Sequence, residues 1–525
     1  MVVPELRPWR AAGPRLARIA GAVRPRLARA VTAARPRVAR LGRAVSTQVT
    51  RPKTWQYTTG AATAGLALAV GVVTAAGPWD SSGQRTAERD LAAARDHTGG
   101  ADHGRRSATA AEAPRPAPSA AAVLTGLGKV TGGPRSTVGT KALAGVLDPL
   151  LDAPGLGARR AAAVVDVTTG ERLYGAGDGT ALTPASTTKI ATAAAALSAL
   201  GPDHRLTTRT ALEPGTGELV LVGGGDPTLT AREDADGNAS LRTLAKDTAA
   251  ALRKDGVREV TLSYDTTLYA GDEVHPIGVN DNLAEVTALM ADEARTDDSD
   301  RGPAPRVSDP AADAARTFGD LLAGHGVKTS SPGPSKATAR AETLAEVSSP
   351  PLAALAERML TNSDNDIAEA LARHTALATG ERPDFDGAGR AIHAELKKLG
   401  LPVKGADFKD GSGLDRDDRL TARLLTALLA RSGDPAHPEL RPILTGLPVA
   451  GFTGTLAGRY TDGAAGLVRA KTGTLTGVNA LAGTVVDRDG HLLAFAFLAA
   501  DTTDPGAAQA ALDAAANALA ACGCA

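Results

Sequence analysis

Apolar and polar positions change their period along this chain, and each change predicts a different element. In AAAVVDVTTGERLYGAG, from position 161, two apolar runs flank the polar turn TTGE, which predicts a β-hairpin. The next run, TPASTTKIATAAAALSAL from position 183, has the signals of a helix start: Pro184 and small polar residues before Ile190. Strands and helices therefore alternate from about position 141 onward.

Two later stretches repeat the order helix, glycine turn, strand. The first is RTLAKDTAAALRKDGV followed by REVTLSYD, from position 242. The second is DAARTFGDLLAGHGV followed by KTSSP, from position 313. Helical periodicity that ends at a glycine and gives way to alternating apolar residues predicts αβ units, so we expect a second α/β region here.

An uncharged apolar stretch covers residues 58–77, with Trp55 and Tyr57 before it and Trp79 after it. About 20 such residues with aromatic flanks are typical of a helix that crosses a bilayer. A signal peptide is the alternative, but the basic segment before the stretch is far longer than an ordinary n-region. We expect a single membrane helix over 57–79. By the positive-inside rule its N-terminal side is cytoplasmic, and the rest of the chain is extracellular at the cell membrane.

The segment before that stretch, residues 1–56, contains an eleven-residue repeat, in which PRLARIAGAVR, PRLARAVTAAR and PRVARLGRAVS begin at Pro14, Pro25 and Pro36. Eleven residues make about three helical turns, so each copy can separate apolar from basic side chains. Two interpretations stay open: a basic amphipathic segment on an anionic membrane surface, or a disordered Arg/Ala tail. After the apolar stretch, residues 80–140 are rich in Ser, Gly, Pro and Ala and are predicted to be a flexible linker.

Composition narrows the classes of function. The 525 residues carry a formal net charge of zero, which gives no electrostatic case for binding nucleic acid. The only cysteines, Cys522 and Cys524, lie near the C-terminus, so neither a disulfide framework nor a zinc-ligand set is predicted for the core. The nine histidines, including His374 and His393, show no metal-binding spacing. We expect no metal and no cofactor.

The predicted helix start at position 183 holds a candidate catalytic pair. Ser186 and Lys189 are three residues apart and would share one face of the helix, which brings the amine within reach of the hydroxyl. A serine hydroxyl becomes a good nucleophile only when a neighbouring base takes its proton, and a lysine serves as that base only when its pKa is lowered. By itself S-x-x-K is weak evidence, because chance gives about one or two matches in a chain of this length.

Two further motifs add the specificity that the pair lacks. Ser363, Asp364 and Asn365 form S-D-N at a predicted helix start, and Lys471-Thr472-Gly473 form K-T-G after a strand-like run. Separately, S-D-N could be a helix N-cap and K-T-G a hairpin turn. In this order and in these contexts, the trio S-x-x-K, S-D-N and K-T-G is the signature of class A β-lactamases and penicillin-binding proteins.

The chain resembles the penicillin-binding D-alanyl-D-alanine carboxypeptidases and endopeptidases of low molecular mass, class C, which are the type-4 penicillin-binding proteins. The resemblance covers roughly residues 140–520. Beyond the three motifs it includes GGGDPTLT at 223–230, DGSGLDRDDRL at 410–420 and the run that begins GVNALAG. An N-terminal anchor of this length is not a usual part of the family's pattern.

The resemblance implies an α/β (α+β) fold, with a serine β-lactamase/DD-peptidase-like domain whose antiparallel sheet is flanked by helices. Ser186 and Ser363 are too far apart in sequence for that domain alone, so a smaller α/β domain is expected to be inserted between them. We predict a catalytic domain of residues 141–207 and 351–525 and an inserted domain of residues 208–350. The third small domain that family members often carry is expected to be absent or vestigial.

The resemblance also implies a role for each motif residue in peptidoglycan stem-peptide hydrolysis. Ser186 would attack the D-Ala-D-Ala carbonyl, Lys189 would be the base for that attack, and Ser363 would relay a proton to the leaving nitrogen. Asn365 would orient Lys189 and bind the substrate amide. The predicted substrate-binding residues are Lys471, Thr472, Gly473 and Thr474, and the backbone N–H groups of Ser186 and Thr474 would form the oxyanion hole.

Penicillin presents a strained amide to the same serine, so acylation by β-lactams is expected. Two alternatives stay open at this point: a β-lactamase, and a penicillin-binding wall module that has lost catalysis. The sequence leaves open the balance between carboxypeptidase and endopeptidase activity, the diamino acid of the stem peptide, the role of the basic arm and the oligomeric state.

Overall fold

The structure, a computed structural model, describes residues 139–460 and 463–523. The predicted basic arm (1–56), the membrane helix (57–79) and nearly all of the linker (80–140) lie outside the described residues. Among the residues that are described, no helix is long and apolar enough to cross a membrane.

Helices and strands follow one another along the described chain in mixed order. The α-helices are α1 (Gly139–Leu151), α2 (Thr188–Leu200), α3 (Leu241–Lys254), α4 (Pro310–Gly324), α5 (Leu352–Asn362), α6 (Asn365–Thr379), α7 (Phe385–Lys398), α8 (Ala422–Gly433), α9 (Arg441–Gly446) and α10 (Pro505–Ala521). The strands are β1 (Arg159–Asp166), β2 (Arg172–Ala176), β3 (Ala181–Leu182), β4 (Thr207–Leu212), β5 (Glu218–Val222), β6 (Glu259–Asp265), β7 (Lys328–Thr329), β8 (Gly333–Pro334), β9 (Glu342–Ser348), β10 (Leu420–Thr421), β11 (Val468–Leu475), β12 (Val478–Val486) and β13 (Leu492–Ala500).

One sheet has five strands in the order β11-β12-β13-β1-β2, all antiparallel. β1 and β2 form the hairpin that the pattern around TTGE predicted. β11, which carries K-T-G, lies at one edge of this sheet. An edge strand has backbone N–H and C=O groups that are not used by a neighbour on one side, so β11 is able to pair with an extended peptide.

Small side chains allow helices to pack closely on both faces of this sheet. On one face, α2 is buried from Thr188 to Leu197, because α6, α7 and α8 surround it. A helix that is apolar around its whole circumference is a core helix, which explains the alanine-rich run that opens the predicted helix. On the other face, α1 and α10 cover Phe495 and Phe497 of β13.

A second sheet has the order β7-β6-β5-β4-β9, and β8 pairs with β6. β5, β6 and β7 are parallel, whereas β4 pairs antiparallel with β5 and β9. α3 and α4 pack on this sheet around Phe318. The two predicted helix–turn–strand units are α3 with β6 and α4 with β7. The division into a catalytic domain (141–207 and 351–525) and an inserted domain (208–350) stays a prediction.

A short strand pair links two distant segments next to the candidate catalytic residues. Leu182 of β3 pairs with Leu420 of β10, and both side chains are buried. This pairing holds the approach to Ser186 against the end of the segment DGSGLDRDDRL, residues 410–420. The two segments therefore meet at one end of α2.

Candidate active site

Ser186 lies in a 3₁₀ turn, Ala185–Thr187, that leads directly into α2. Ala185 has φ of 48°, a backbone conformation that residues with a Cβ rarely adopt. Gly413 packs against this turn so closely that a Cβ on Gly413 would lie 2.0 Å from the Ala185 carbonyl oxygen. Surrounding structure thus holds the serine on a strained turn, a feature that is common at functional sites.

The side chain of Lys189 is completely buried and meets three oxygen atoms. Its Nζ lies 3.1 Å from Ser186 Oγ, 2.7 Å from Asn365 Oδ1 and 2.6 Å from the Ser412 carbonyl oxygen. Asn365 Nδ2 donates to the Asn282 carbonyl at 2.8 Å, and this hydrogen bond fixes the orientation of the side-chain amide. Asn365 Oδ1 therefore faces the lysine.

These contacts allow Lys189 to act in its neutral form. A neutral amine has two N–H groups and one lone pair, and the Asn365 and Ser412 oxygens are acceptors only. The ammonium form donates a third N–H to Ser186 Oγ, whereas the neutral form, with two hydrogens donated to those oxygens, turns its lone pair toward the Ser186 hydroxyl. Lys189 is thus placed as the base that activates Ser186.

The electrostatic environment also shifts Lys189 toward the neutral form. Burial lowers its pKa to about 8, although the carboxylates of Asp410 and Glu369 act in the opposite direction and raise it. A base with a pKa close to the working pH combines a useful neutral fraction with good proton affinity. Lys189 therefore meets both requirements of a general base, geometry and pKa.

Ser363 and Lys471 form a second hydroxyl–amine pair. Lys471 is fully buried, and its Nζ donates to Ser363 Oγ at 2.9 Å and to the Thr472 carbonyl at 2.8 Å. Burial, and then the charge of Lys189, hold the pKa of Lys471 well below its usual value. Ser363 has φ of 61° and ends α5, and Asp364 caps α6 by accepting from the Ile367 N–H. S-D-N thus occupies the junction of two helices, of which sequence analysis predicted only the second.

K-T-G lies on the open half of the β11 edge. The first half of the strand is covered, since Ala450 N donates to the Val468 carbonyl and Ala470 N donates to the Pro448 carbonyl. Within the described residues, no other backbone segment pairs with 471–475 on that side. The open half adjoins the Ser186 turn, because a Cβ on Gly473 would lie 2.6 Å from the Pro184 carbonyl oxygen.

The remaining predicted residues lie along the same stretch of strand. Thr472 Oγ1 donates to Thr455 Oγ1 at 3.0 Å, and the Thr474 side chain is exposed. The structure therefore brings Lys189 into direct contact with Ser186 and Asn365, joins Ser363 to Lys471, and places Gly473 against the turn that carries the nucleophile. It gives the side chain of Thr474 no contact with the other predicted residues.

Sequence analysis missed several groups that hold these residues. The Ser412 carbonyl that accepts from Lys189 belongs to a buried turn, and Glu369 accepts from the backbone N–H groups of Gly411 and Ser412. Asp410 accepts from the N–H groups of Gly413 and Asp415. Two signals were present in the sequence: the D-G-S-G turn pattern, and the position of Glu369 four residues after Asn365 on the same helix.

Two buried groups of residues bring possible metal ligands close together: His275, Glu369 and Asp410, and Glu293, Asp364 and Asp366. Hydrogen bonds engage the first group, and arginines compensate the second. Arg295 pairs with Glu293 at 2.8 Å, and Arg306 pairs with Asp366 at 3.1 Å. Both groups are therefore explained by contacts with the protein itself.

The site as a whole is equipped for nucleophilic acyl transfer. It combines a hydroxyl next to a buried amine whose pKa is lowered, a second hydroxyl–amine pair and an open strand edge. The first pair forms the bond to the carbonyl carbon, and the second is able to pass a proton to a leaving group. The open edge offers backbone hydrogen bonds to an extended peptide.

Comparison with known proteins gives matches along nearly the whole described chain. A family model described as "D-Ala-D-Ala carboxypeptidase 3 (S13) family" matches residues 143–297 and 279–520. A carboxypeptidase of Mycobacterium tuberculosis is 36% identical over 432 residues, which cover 78% of this chain and 90% of the relative. Carboxypeptidase DacB of Mycolicibacterium smegmatis is 38% identical over 377 residues, covering 69% of this chain and 80% of the relative. The D-alanyl-D-alanine carboxypeptidase of an Actinomadura species is 31% identical over 426 residues, covering 66% of this chain and 79% of the relative.

Among solved structures, penicillin binding protein 4 (dacB) of Haemophilus influenzae superposes with a TM-score of 0.58 and 21% sequence identity. The match covers 68% of this chain and 94% of the other. At this level of identity the superposition establishes the mixed α/β fold, with helices on the faces of an antiparallel sheet.

Proposed function

The chain belongs to the D-Ala-D-Ala carboxypeptidase 3 (S13) family, and from this premise we propose that it is a serine-type D-alanyl-D-alanine carboxypeptidase and endopeptidase that acts on peptidoglycan stem peptides. The family comparisons confirm the resemblance inferred from the three motifs. One observation carries the proposal above all others. Lys189 Nζ is 3.1 Å from Ser186 Oγ, and it is also 2.7 Å from Asn365 Oδ1 and 2.6 Å from the Ser412 carbonyl oxygen, which are acceptors only.

The reaction begins with acylation of the serine. Ser186 Oγ attacks the carbonyl carbon of the penultimate D-alanine while Lys189 accepts the hydroxyl proton. Negative charge then develops on the carbonyl oxygen, where the backbone N–H groups of Ser186 and Thr474 would stabilise it; one such donor is typically worth about 3 kcal/mol. These two N–H groups are part of the proposal.

Collapse of the tetrahedral intermediate breaks the C–N bond, and the leaving amine needs a proton. Ser363 is placed to deliver it, because its hydroxyl accepts from Lys471 at 2.9 Å and Lys471 can replace the proton. The proton that Lys189 took from Ser186 then passes to Lys471, which restores both amines. Water attacks the ester, and Lys189 takes a proton from that water and gives it to Ser186 Oγ as the ester C–O bond breaks. The net reaction is hydrolysis of one peptide bond.

Substrate binding follows from the open half of β11. An extended peptide that adds to residues 471–475 would pair with the backbone there. Its terminal carboxylate would interact with the hydroxyl of Thr472, and its negative charge would favour the protonated form of Lys471. A cross-linked peptide has the same D-amino-acid bond, which is the basis for proposing endopeptidase activity as well. The four-membered ring of penicillin offers a strained amide to Ser186 and would form a stable ester.

Release of D-alanine tests the proposed activity. The full-length chain, purified in detergent, is incubated with a diacylated Lys-D-Ala-D-Ala peptide, and free D-alanine is measured with a D-amino-acid oxidase assay. We expect release by the wild type and at least about a 1,000-fold lower rate for Ser186→Ala. The exposed Ser331→Ala serves as the matched control. Equal release by wild type and Ser186→Ala would overturn the proposal.

We further propose that residues 57–79 anchor the enzyme in the cell membrane, with the N-terminus cytoplasmic and the catalytic part extracellular. The uncharged stretch of about 20 residues, its aromatic flanks and the basic segment before it support this arrangement. Replacing Leu68 and Val70 by arginine should release the chain from membranes on alkaline carbonate extraction. Retention of that variant in the membrane pellet would contradict the anchor.

A further inference from the structure

The segment 266–287, which follows β6 and contains no helix or strand, reaches the catalytic residues at two points. Near its end, the Asn282 carbonyl accepts from Asn365 Nδ2 at 2.8 Å. Near its middle, His275 contacts Asp410. The segment is tied down at several positions, for instance by Ala270 N donating to the Pro383 carbonyl and by Ala284 N donating to Asp366. It is therefore fixed against the catalytic residues by its own backbone.

His275 is buried, with only 2% of its side chain exposed, and both ring nitrogens are engaged. Nδ1 accepts from the backbone N–H of Ile277 at 3.3 Å, so in the neutral ring the hydrogen is on Nε2. Nε2 lies 3.0 Å from Asp410 Oδ2 and donates to it. The ring edge also packs on Phe385, with centroids 5.1 Å apart. These contacts fix the ring and its donor.

Asp410 connects His275 to the turn whose Ser412 carbonyl contacts Lys189. The same oxygen that accepts from His275 also accepts from Ser412 Oγ at 3.1 Å and from Asp415 N at 2.7 Å. On the opposite side of the turn, Glu369 accepts from Ser412 N at 2.9 Å. The Ser412 peptide is thus held from two sides, and its carbonyl oxygen is 2.6 Å from Lys189 Nζ.

The electrostatic effect of His275 on Lys189 also acts through Asp410. The carboxylates of Asp410 and Glu369 are the two largest influences that raise the pKa of Lys189 against its burial. His275 in turn lowers the pKa of Asp410, through its hydrogen bond and its charge. Arg373, four residues after Glu369 on α6, supplies buried positive charge behind Phe385, with its guanidinium 4.0 Å from the ring centroid. The effect of Asp410 on the pKa of Lys189 therefore depends on how far His275 offsets the negative charge of Asp410.

We propose that His275 is a positioning residue for Lys189, which it controls through Asp410 and the Ser412 carbonyl without touching the substrate. This inference rests on the proposed acyl transfer at Ser186. It makes the segment 266–287, which lies in the sequence between the S-x-x-K and S-D-N motifs, part of the machinery that sets the strength of the catalytic base.

Loss of the His275 donor has an effect of defined sign. Asp410 would be compensated less well, so it would stabilise protonated Lys189 more strongly and raise the pKa of that amine. The acid limb of the pH profile of acylation would then move to higher pH. A shift of about one pH unit would lower the rate near neutrality about tenfold, whereas wild type and variant would converge above the Lys189 pKa.

Several ionisable groups lie around His275 and act on its charge. They are Asp410 and Asp415 from the 410–415 turn and Glu369 from α6, and Arg373 of α6 lies over the ring of Phe385. Burial lowers the pKa of His275, but the hydrogen bond to Asp410 and the charge of Glu369 outweigh it and raise the pKa overall. Titration of His275 itself would be absent from every variant at that position, so variants that differ only in their donor isolate its effect on Lys189.

The test compares His275→Ala and His275→Gln in the full-length chain. The amide nitrogen of glutamine can replace Nε2 as a donor to Asp410, and alanine cannot. The second-order rate constant of acylation by a fluorescent penicillin is measured from pH 6 to pH 10. We expect the acid limb of His275→Ala to lie about one unit higher than that of the wild type, and that of His275→Gln to lie close to it. His275→Leu, which fills the space without a donor, replaces the alanine variant if that variant does not fold.

A second buried histidine, His374 on α6, provides the structural control. His374 is 7% exposed, and its Nε2 has no hydrogen-bond partner among the described residues. His374→Ala, which leaves a cavity, should lower the melting temperature without moving the acid limb. Loss of rate by the same factor at every pH, or an equal effect of the Gln and Ala variants, would show a purely structural role for His275 and overturn the inference. A wild type that forms no acyl-enzyme would instead refute the proposed function.

Discussion

The reactivity of this site is concentrated in Lys189, an amine that is buried with two carbonyl acceptors and one hydroxyl. An exposed lysine is protonated at neutral pH and has no lone pair to offer. Burial lowers the pKa of Lys189 to about 8, and Asn365 and Ser412 accept the two hydrogens of the neutral form. Burial provides the lowered pKa, and hydrogen bonding provides the direction of the lone pair.

The pH dependence of acylation follows from that lowered pKa. The neutral amine is the active form, so the acylation rate should rise tenfold per pH unit below about pH 8 and level off above it. The measurement is the second-order rate constant for a fluorescent penicillin between pH 6 and pH 10. Lys189→Arg, which cannot lose its proton, should be at least about 1,000-fold slower at every pH. The exposed Lys404→Arg should match the wild type. A flat profile would contradict the assignment of Lys189 as the base.

Gly473 allows the strand and the nucleophile turn to approach each other. A Cβ there would lie 2.6 Å from the Pro184 carbonyl oxygen, closer than real Cβ contacts, so Gly473→Ala must displace the turn or the strand. Because a displacement of about 1 Å can cost about 100-fold in rate, we expect a loss of that order in penicillin acylation. Gly145→Ala on α1, where a Cβ would meet nothing within 4 Å, is the control. An unchanged rate for Gly473→Ala would mean that the close approach is unimportant.

At the scale of elements, the catalytic residues lie where elements begin, end or remain unpaired. Ser186 precedes α2, Ser363 separates α5 from α6, and Lys471 lies where the cover of β11 stops. At such positions backbone groups are free for ligands, and side chains are held by elements that are themselves rigid. Ser363 has φ of 61°, which its place between two helices requires.

A buried group of charges holds the residues after position 290 against the S-D-N junction. Arg306 and Asp366 have side chains that are 5% and 2% exposed and lie 3.1 Å apart. Arg306→Met would leave Asp366 buried without its ion-pair partner, so we expect a loss of about 3 kcal/mol in the free energy of unfolding. Adding Asp366→Asn removes the lone charge and keeps an acceptor for Ala284 N, so the double variant should recover much of the loss.

Urea unfolding of these variants gives the comparison. The matched control is the exposed pair Arg316 and Asp313 on α4, with side chains 58% and 41% exposed, where Arg316→Met should cost less than about 1 kcal/mol. A double variant no more stable than Arg306→Met would show that the arginine contributes packing and not charge compensation.

These elements also show which parts of the site local sequence can predict. The β1–β2 hairpin, α2 and the αβ units were predictable because their signals, alternation, helix starts and glycine stops, are local. The C-terminal end of α5 at Ser363 was missed, since a serine in the left-handed region is a state imposed by tertiary structure. The cover of β11 by residues 448–450 was missed for the same reason.

At the scale of the whole molecule, the site is assembled from segments that are distant in sequence. Lys189 contacts Asn365 and Ser412, and behind them lie His275 and Glu369. The three motifs predicted the groups that would touch the substrate. They did not predict the residues behind those groups, because a buried carboxylate such as Glu369 has no sequence pattern apart from helical spacing. Long-range packing therefore determines which residues support the motif residues from behind.

The most direct test of the account is the intact mass of the full-length chain after brief incubation with benzylpenicillin, alongside Ser186→Ala. We expect a lasting adduct of one penicillin on the wild type, located on the peptide that contains Ser186, and no adduct on the variant. Turnover to penicilloate without a lasting adduct would indicate a β-lactamase. A wild type that stays unmodified and inert would contradict the central claim that Ser186, activated by Lys189, is an acylating nucleophile.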